Sequence, residues 1–245
     1  MRRTKTATPR LWLSGFVLLA TLASWSQVTS STAEIPDLNL ILQRMEDILH
    51  RDPAQSLSYE VTREYKMFRG YDKQSTSEVI AQIDFVPPDV KTYKIIQARG
   101  NSSGERMVRE ILDGETESAK KKRSSEISRA NYDFVLLRQQ NFGIVPEYVL
   151  GIFPKRKEKN LLRGQIWVDE STYRIRRIEG VPAKSPSLWI KGIHITLQYA
   201  ELGGMWVPVS FDAIATVRFL GEYTLAGVNI QAADPLSPAA NSHTR

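Results

Sequence analysis

Residues spaced for chemistry are few in this sequence. Ser118 and Lys121 match S-x-x-K, the tetrad in which acyl-serine enzymes bring an amine to a hydroxyl. They lie in a lysine run, the tetrad is common by chance, and the companion motifs of those enzymes are missing. His194 alternates with Ile193 and Ile195, which puts it on the polar face of a strand as a surface histidine. The other histidines are His50 and His243, too few for a histidine-rich metal centre, and there is no cysteine. Disulfides, thiolate metal sites, cysteine nucleophiles and acylation at a lipoprotein cysteine are thereby excluded. G-x-S-x-G, H-E-x-x-H, calcium loops, the P-loop and G-x-G-x-x-G are all absent. Carboxylate pairs occur, but none has a spacing that singles it out for acid–base work. No catalytic residue is assigned, and no metal or cofactor is expected.

Binding has more support. Several segments alternate with one apolar, aromatic-rich face: Tyr59, Val61 and Tyr65, then Val79, Ile83 and Phe85, then Ile193, Ile195 and Leu197, then Val209 and Phe211. These residues either fill a core beneath helices or line an apolar cavity of the kind that holds small hydrophobic ligands. Arg63 is the one charged residue on the apolar face of its strand. A guanidinium there needs partners for its donors, so Arg63 either latches a lid through backbone carbonyls at a helix end or lies at a rim with its head in water. Lys120, Lys121, Lys122 and Arg123 form a basic run that is either a solvated face or a contact for anionic headgroups or an acidic partner.

The elements that must position these residues follow from periodicity. The chain has 245 residues, 42% hydrophobic and 24% charged, as in ordinary globular proteins. Arg2, Arg3, Lys5 and Arg10 precede an apolar run from Leu11 to Trp25 and small residues ending at Ala33. That order is a signal peptide over residues 1–33, with an uncleaved anchor as the other reading. The net charge of +6 includes four positive and no acidic residues in that segment, leaving 6 − 4 = +2 for an exported, soluble chain with little nucleic acid to meet. Asp37 to Arg51 has helical spacing, with Leu38, Ile41, Leu42 and Met45 on one face. Strands are expected over Leu57–Met67, Ser77–Phe85 and Lys91–Gln97, followed by helical spacing over Ser103–Leu112. Asp113 to Ser128 is a helix with one wet face or a mobile excursion. Further strands run from Tyr132 onward, with Trp206–Phe211 and Ile214–Phe219 read as two. About ten to eleven strands joined as hairpins predict one mainly β domain over residues 34–232, an antiparallel sheet that curls and leaves a concave face for the helices. Residues 233–245, rich in Pro, Ser and Ala, predict a disordered tail.

Within this frame the hairpin "LLRGQIWVDESTYRIRRIEG" stands out, with Trp167 among Arg174, Arg176 and Arg177 on what reads as the convex face, stems packed and heads in water. With "PAKSPSLWI", "GGMWVPVSF" and "VRFLGEYTL", it resembles bacterial outer-membrane lipoprotein-sorting proteins of the LolA/LolB-like superfamily. The resemblance implies an incomplete antiparallel β-barrel whose concave apolar face is closed by helices. It also implies a periplasmic carrier of lipoprotein acyl chains or another lipid, with an inner-membrane export complex or an outer-membrane acceptor as partners. An envelope sensor or scaffold that binds a protein or lipid partner without transport is the alternative. The sequence departs from the family pattern in the basic insertion at Lys120 and in lacking the cysteine of an anchored acceptor.

The order of charge, apolar run and small residues predicts cleavage near Ala33. Intact-mass measurement of the exported chain should find a species beginning just after that residue. A chain that keeps Leu11 to Trp25 would be tethered, and the soluble-carrier expectation would fall.

Overall fold

A computed structural model describes residues 37–51, 57–185, 188–202 and 204–232. The expected signal segment and tail lie outside them. Helix α1 (Leu38–Arg51) buries Ile41, Leu42 and Met45, the stripe its spacing predicts. A three-strand meander follows: β1 (Tyr59–Arg69), β2 (Ser77–Val86) and β3 (Val90–Gly100). In β1 burial alternates residue by residue through Val61, Arg63, Tyr65 and Met67, because side chains of a strand point to opposite faces in turn. Helix α2 (Ser102–Lys120) then starts at Asn101, whose side chain accepts the Ser103 backbone N–H at 2.9 Å. A short helix α3 (Lys122–Ser125) leads to seven further strands. These are β4 (Tyr132–Phe142), β5 (Val145–Pro154), β6 (Leu162–Asp169), β7 (Ile175–Pro182), β8 (Ile190–Leu202), β9 (Met205–Val217) and β10 (Gly221–Ala232).

All ten strands form one antiparallel sheet in the order β3-β2-β1-β10-β9-β8-β7-β6-β5-β4. The strand that ends the chain's path, β10, pairs with β1, while β3 and β4 remain as edges. The barrel is therefore unclosed, and the α2–α3 connection carries the chain from one edge to the other. Two apolar clusters occupy the inner face. One joins α1 to Tyr148, Leu150, Ile152, Ile166 and Val168 of β5 and β6. The other joins Val108 and Leu112 of α2 to Val61, Tyr65, Val79, Ile83 and Leu225.

The structure decides between the two readings of one segment and differs from the sequence reading in two other places. Residues 113–120 continue α2, the helical alternative for that stretch: Asp113, Glu117 and Lys120 make its wet face, while Glu115 turns inward to Arg63 and Lys91. The two strands read over Trp206–Phe219 are one, β9, so the sheet has ten strands. Asp212 alternates outward between the buried Phe211 and Ala213, so the drop in hydrophobicity there marks small inward residues and not a turn. On the outer face the arginine heads do not simply point into water. Arg177 stacks over Trp167 at 4.8 Å, whereas Arg174 leaves that face: it lines the cleft beside α1 and stacks over Trp206 at 5.5 Å. Arg176 pairs with Asp169 at 3.3 Å and Glu147 at 3.6 Å. Asp169 also organises the β6–β7 turn by accepting from the backbone and hydroxyl groups of Ser171 and Thr172.

The first turn of α2 rests directly on β2. A methyl group at Gly104 would lie 2.3 Å from the Ser77 Cβ and 2.5 Å from its hydroxyl, which donates to the Asn101 carbonyl at 2.8 Å. Gly104→Ala should therefore lift the helix start and destabilise the fold by about 1–3 kcal/mol, the usual cost of overpacking. Urea denaturation should show a lower midpoint at unchanged slope, and adding Ser77→Gly should restore part of the loss.

Candidate functional site

The expected lipid-contact residues separate into two groups on the inner face. Val61, Tyr65, Val79, Ile83 and Phe211 are buried in the cluster under α2. Tyr59 is half-buried and stacks on the buried Phe85, with ring centroids 5.2 Å apart. Ile193, Ile195 and Leu197 of β8 are only half-buried. They lie at the margin of that cluster, and Leu197 also touches the cluster under α1, as does Tyr199. Helix α2 lies against β1, β2 and β3, and α1 against the β5–β6 side. The inner face of β8 thus forms an apolar strip between the two helix-covered clusters. Val209 is not on it. The β8–β9 register slips between Gln198 and Tyr199, so Val209 is the extra residue of a bulge, half-buried and outside both clusters.

A buried ion cluster flanks the strip. Arg63 is 5% exposed, which rules out a rim position with its head in water. Its Nη1 donates to Glu115 Oε1 of α2 at 2.9 Å and to the Tyr65 hydroxyl at 3.2 Å, and its Nε donates to Asn229 Oδ1 at 2.8 Å. The acceptor on the helix is therefore a side-chain carboxylate, whereas the sequence reading looked to helix-end carbonyls. Lys91 Nζ of β3 donates to the other oxygen of Glu115. A register slip in the β1–β10 pair between Thr62 and Arg63 sets Asn229 opposite Arg63. Gly227 leaves room for the layer: a methyl group there would be 3.0 Å from the Tyr65 ring and 3.5 Å from the Arg63 stem.

Electrostatics follow from this arrangement. Burial alone would raise the Glu115 carboxyl, but Lys91 and Arg63 outweigh it and hold the group below its ordinary value of 4.5. Burial pushes the Tyr199 phenol up to about 12, with the Glu115 charge and nearby Tyr59 adding to the effect. Tyr199 of the strip and Glu115 of the helix therefore feel one another. At the other helix, Glu46 of α1 takes Arg129 in a two-pronged pair at 2.6 and 3.1 Å, which ties α1 to the segment between α3 and β4.

Sequence reasoning missed Glu115, Lys91 and Asn229. A signal for the first was present: Glu115 is spaced four and three residues beyond Ile111 and Leu112, so it is the acid on the apolar stripe of α2. Lys120 and Lys121 close α2 and Lys122 and Arg123 open α3. Lys120 bonds Glu117 at 3.1 Å and Lys121 is exposed. An open cleft of about 400 Å³ lies between α1 and the β6–β7 turn, lined by Arg44, Ile48, Arg51, Tyr173 and Arg174 among others, and none of the expected lipid-contact residues lines it. His194 bonds Glu179 on the outer face at 2.9 Å. Among the described residues no group of three or more acidic or histidine side chains converges as a metal site, and no helix is long and apolar enough to cross a membrane.

No family model and no curated protein matches the chain. Among solved structures it is similar to a LolA superfamily protein from Nitrosomonas europaea, at 14% identity over 80% of this chain and 93% of that one, with a TM-score of 0.38. It is similar at 14% identity to a candidate outer membrane lipoprotein-sorting domain from Vibrio parahaemolyticus, over 82% and 94% of the chains with a TM-score of 0.42. A protein of the DUF1329 family from Desulfovibrio piger is similar at 13% identity, over 84% and 96% with a TM-score of 0.43. Independently of these, the unclosed sheet with helices over its inner face is the architecture that the sequence resemblance implies.

The ion cluster should be sensitive to acid. Because the Glu115 value is depressed on folding, its contribution is present above the ordinary carboxylate range and is lost as pH falls through the depressed value. Hydrogen exchange in α2, corrected for the intrinsic rate, should quicken as pH falls below the ordinary carboxylate value of 4.5. Glu115→Gln should already exchange faster at neutral pH and lose that acid step. An unchanged step in the Gln variant would show that another group controls the helix.

Proposed function

We propose that this chain is a periplasmic carrier that binds lipoprotein acyl chains, or another lipid, on its concave face for sorting to the outer membrane. The observation that carries this reading is the strip of Ile193, Ile195, Leu197 and Tyr199, apolar and half-buried between two clusters that are each sealed by a helix. An extended acyl chain laid along β8 would complete the burial of that strip, at about 0.8 kcal/mol for each methylene removed from water. Phe211, which pairs with Leu197, borders the strip, while Val61, Tyr65, Val79 and Ile83 form the wall beneath α2 and Tyr59 stacks on Phe85 at its β1–β2 side. Arg63 holds α2 at that border through Glu115, so widening the strip for cargo competes with a charge-assisted bond. The basic run from Lys120 to Arg123 supplies a contact for headgroups or a partner at the end of the same helix. Export is supported by the signal-like start of the sequence.

Ile195 is the informative position. Ile83 is fully buried, so a charge there would test folding; Ile195 is half-buried and tolerates one at its open side. Ile195→Asp should keep its circular dichroism spectrum and lose uptake of a fluorescent fatty acid by tenfold or more. Uptake equal to that of the parent in a folded Ile195→Asp variant would mean that β8 does not receive the chain.

A further inference from the structure

Three hairpin ends meet at one end of the sheet. Gly221 pairs with Val217 to close the β9–β10 turn, and Ile190 at the start of β8 pairs with the same Val217. Arg69 at the end of β1 pairs with Tyr223, which brings the β1–β2 turn alongside. Backbone bonds tie the ends together: Arg218 N–H donates to the Trp189 carbonyl at 2.8 Å, and Gly70 N–H donates to the Glu222 carbonyl at 2.8 Å. On these ends five large apolar side chains face solvent, with exposures of 98% for Tyr71, 90% for Leu188, 64% for Trp189, 94% for Phe219 and 55% for Leu220. Phe219 has φ of 63°, a left-handed conformation that is uncommon for a bulky residue and holds the ring out at the tip of its turn. Exposed apolar groups gathered in one place mark an interaction surface, whereas scattered ones do not.

The charges around them decide what that surface meets. Arg69, Lys73, Lys184, Lys191 and Arg218 are exposed on the same ends, against Asp72 and Glu222, a balance of 5 − 2 = +3. Tryptophan and tyrosine settle at the level of lipid headgroups, where an apolar ring and a polar edge are both accommodated, and a cationic surround is drawn to anionic lipid. We infer that these hairpin ends form a docking surface for a bilayer that carries anionic headgroups, with Tyr71, Leu188, Trp189 and Phe219 entering the interface. The surface is separate from the β8 strip and from the Lys120 run, so it stands whether or not the concave face takes a lipid.

Vesicle flotation tests it with the unit Ile35–Arg245, which contains the whole sheet and both apolar clusters. The protein should float with vesicles of phosphatidylethanolamine and phosphatidylglycerol, and at least tenfold less with phosphatidylcholine alone. Tyr71→Ser, Leu188→Ser, Trp189→Ser and Phe219→Asn together should cut the partition coefficient at least tenfold. They should leave the melting temperature and fatty-acid uptake as in the parent, since none of these side chains is buried. Lys73→Gln, Lys184→Gln and Arg218→Gln should erase the preference for phosphatidylglycerol. Flotation of the apolar-tip variant equal to that of the parent would overturn the inference. So would a parent that does not float but self-associates in light scattering through the same four residues, since the tips would then meet a second copy.

Discussion

Two helices cannot cover ten strands. A strand takes about 4.8 Å of sheet width and a helix about 10 Å, so α1 and α2 side by side span four or five strands at most. Every strand of this sheet nevertheless presents an inner face, and the sheet cannot roll shut on itself because β3 and β4 remain unpaired. The helices divide the work by sealing the two ends of the strand order, α2 over β1 to β3 and α1 over the β5–β6 side. The inner residues of β9 and β10 still reach the cluster under α2, so the strand left with least cover is β8. That shortage explains why Ile83 is fully buried while Ile193, Ile195 and Leu197, of the same residue types, stay half-exposed.

The ion cluster fixes where one of those helices lies. Apolar contacts of Val108 and Leu112 with β1 and β2 are non-directional and would tolerate some sliding of α2 along the sheet. Glu115 removes that freedom because its two oxygens must reach Arg63 on β1 and Lys91 on β3 at once. Its N-terminal counterpart is the contact of Gly104 on Ser77, where no side chain intervenes. Buried ion pairs contribute little net stability against an apolar replacement, but removing one partner is costly. Arg63 is thus better understood as setting the placement of a cover than as strengthening the core.

The outer face is built on different terms. Glu147, Val149, Trp167 and Asp169 are all buried there, although no helix lies over them. Their cover is made of arginine: Arg177 sits over the Trp167 ring, and Arg176 bridges Asp169 and Glu147. A planar guanidinium can lie on a ring and keep its edge hydrated, so this surface stays polar while its floor is dry. At the sheet edges, lysines and arginines such as Lys94, Arg99 and Arg138 stand on β3 and β4, which discourages another chain from adding a strand.

How much of this was legible depended on whether the signal was local. The stripe of α1, the alternation of β1 and β2 and the Asp169 turn are written in neighbouring residues, so the sequence alone determined α1 and an antiparallel sheet, but not how far α2 runs. It also determined that Arg63 would need a partner, because the strand period put a charge on an apolar face. It did not determine which partner. Glu115 lies 52 residues away on another element, and Asn229 lies 166 residues away across a register slip. The continuity of β9 through Asp212 was likewise decided by its neighbours β8 and β10, which hold it in pairing on both sides. The bulge that removes Val209 from the inner face leaves no mark in its alternation. Away from bulges, the period of the sequence sets which face a side chain takes within its element; which inner faces are covered, and by what, is decided only when the elements compete for the same width.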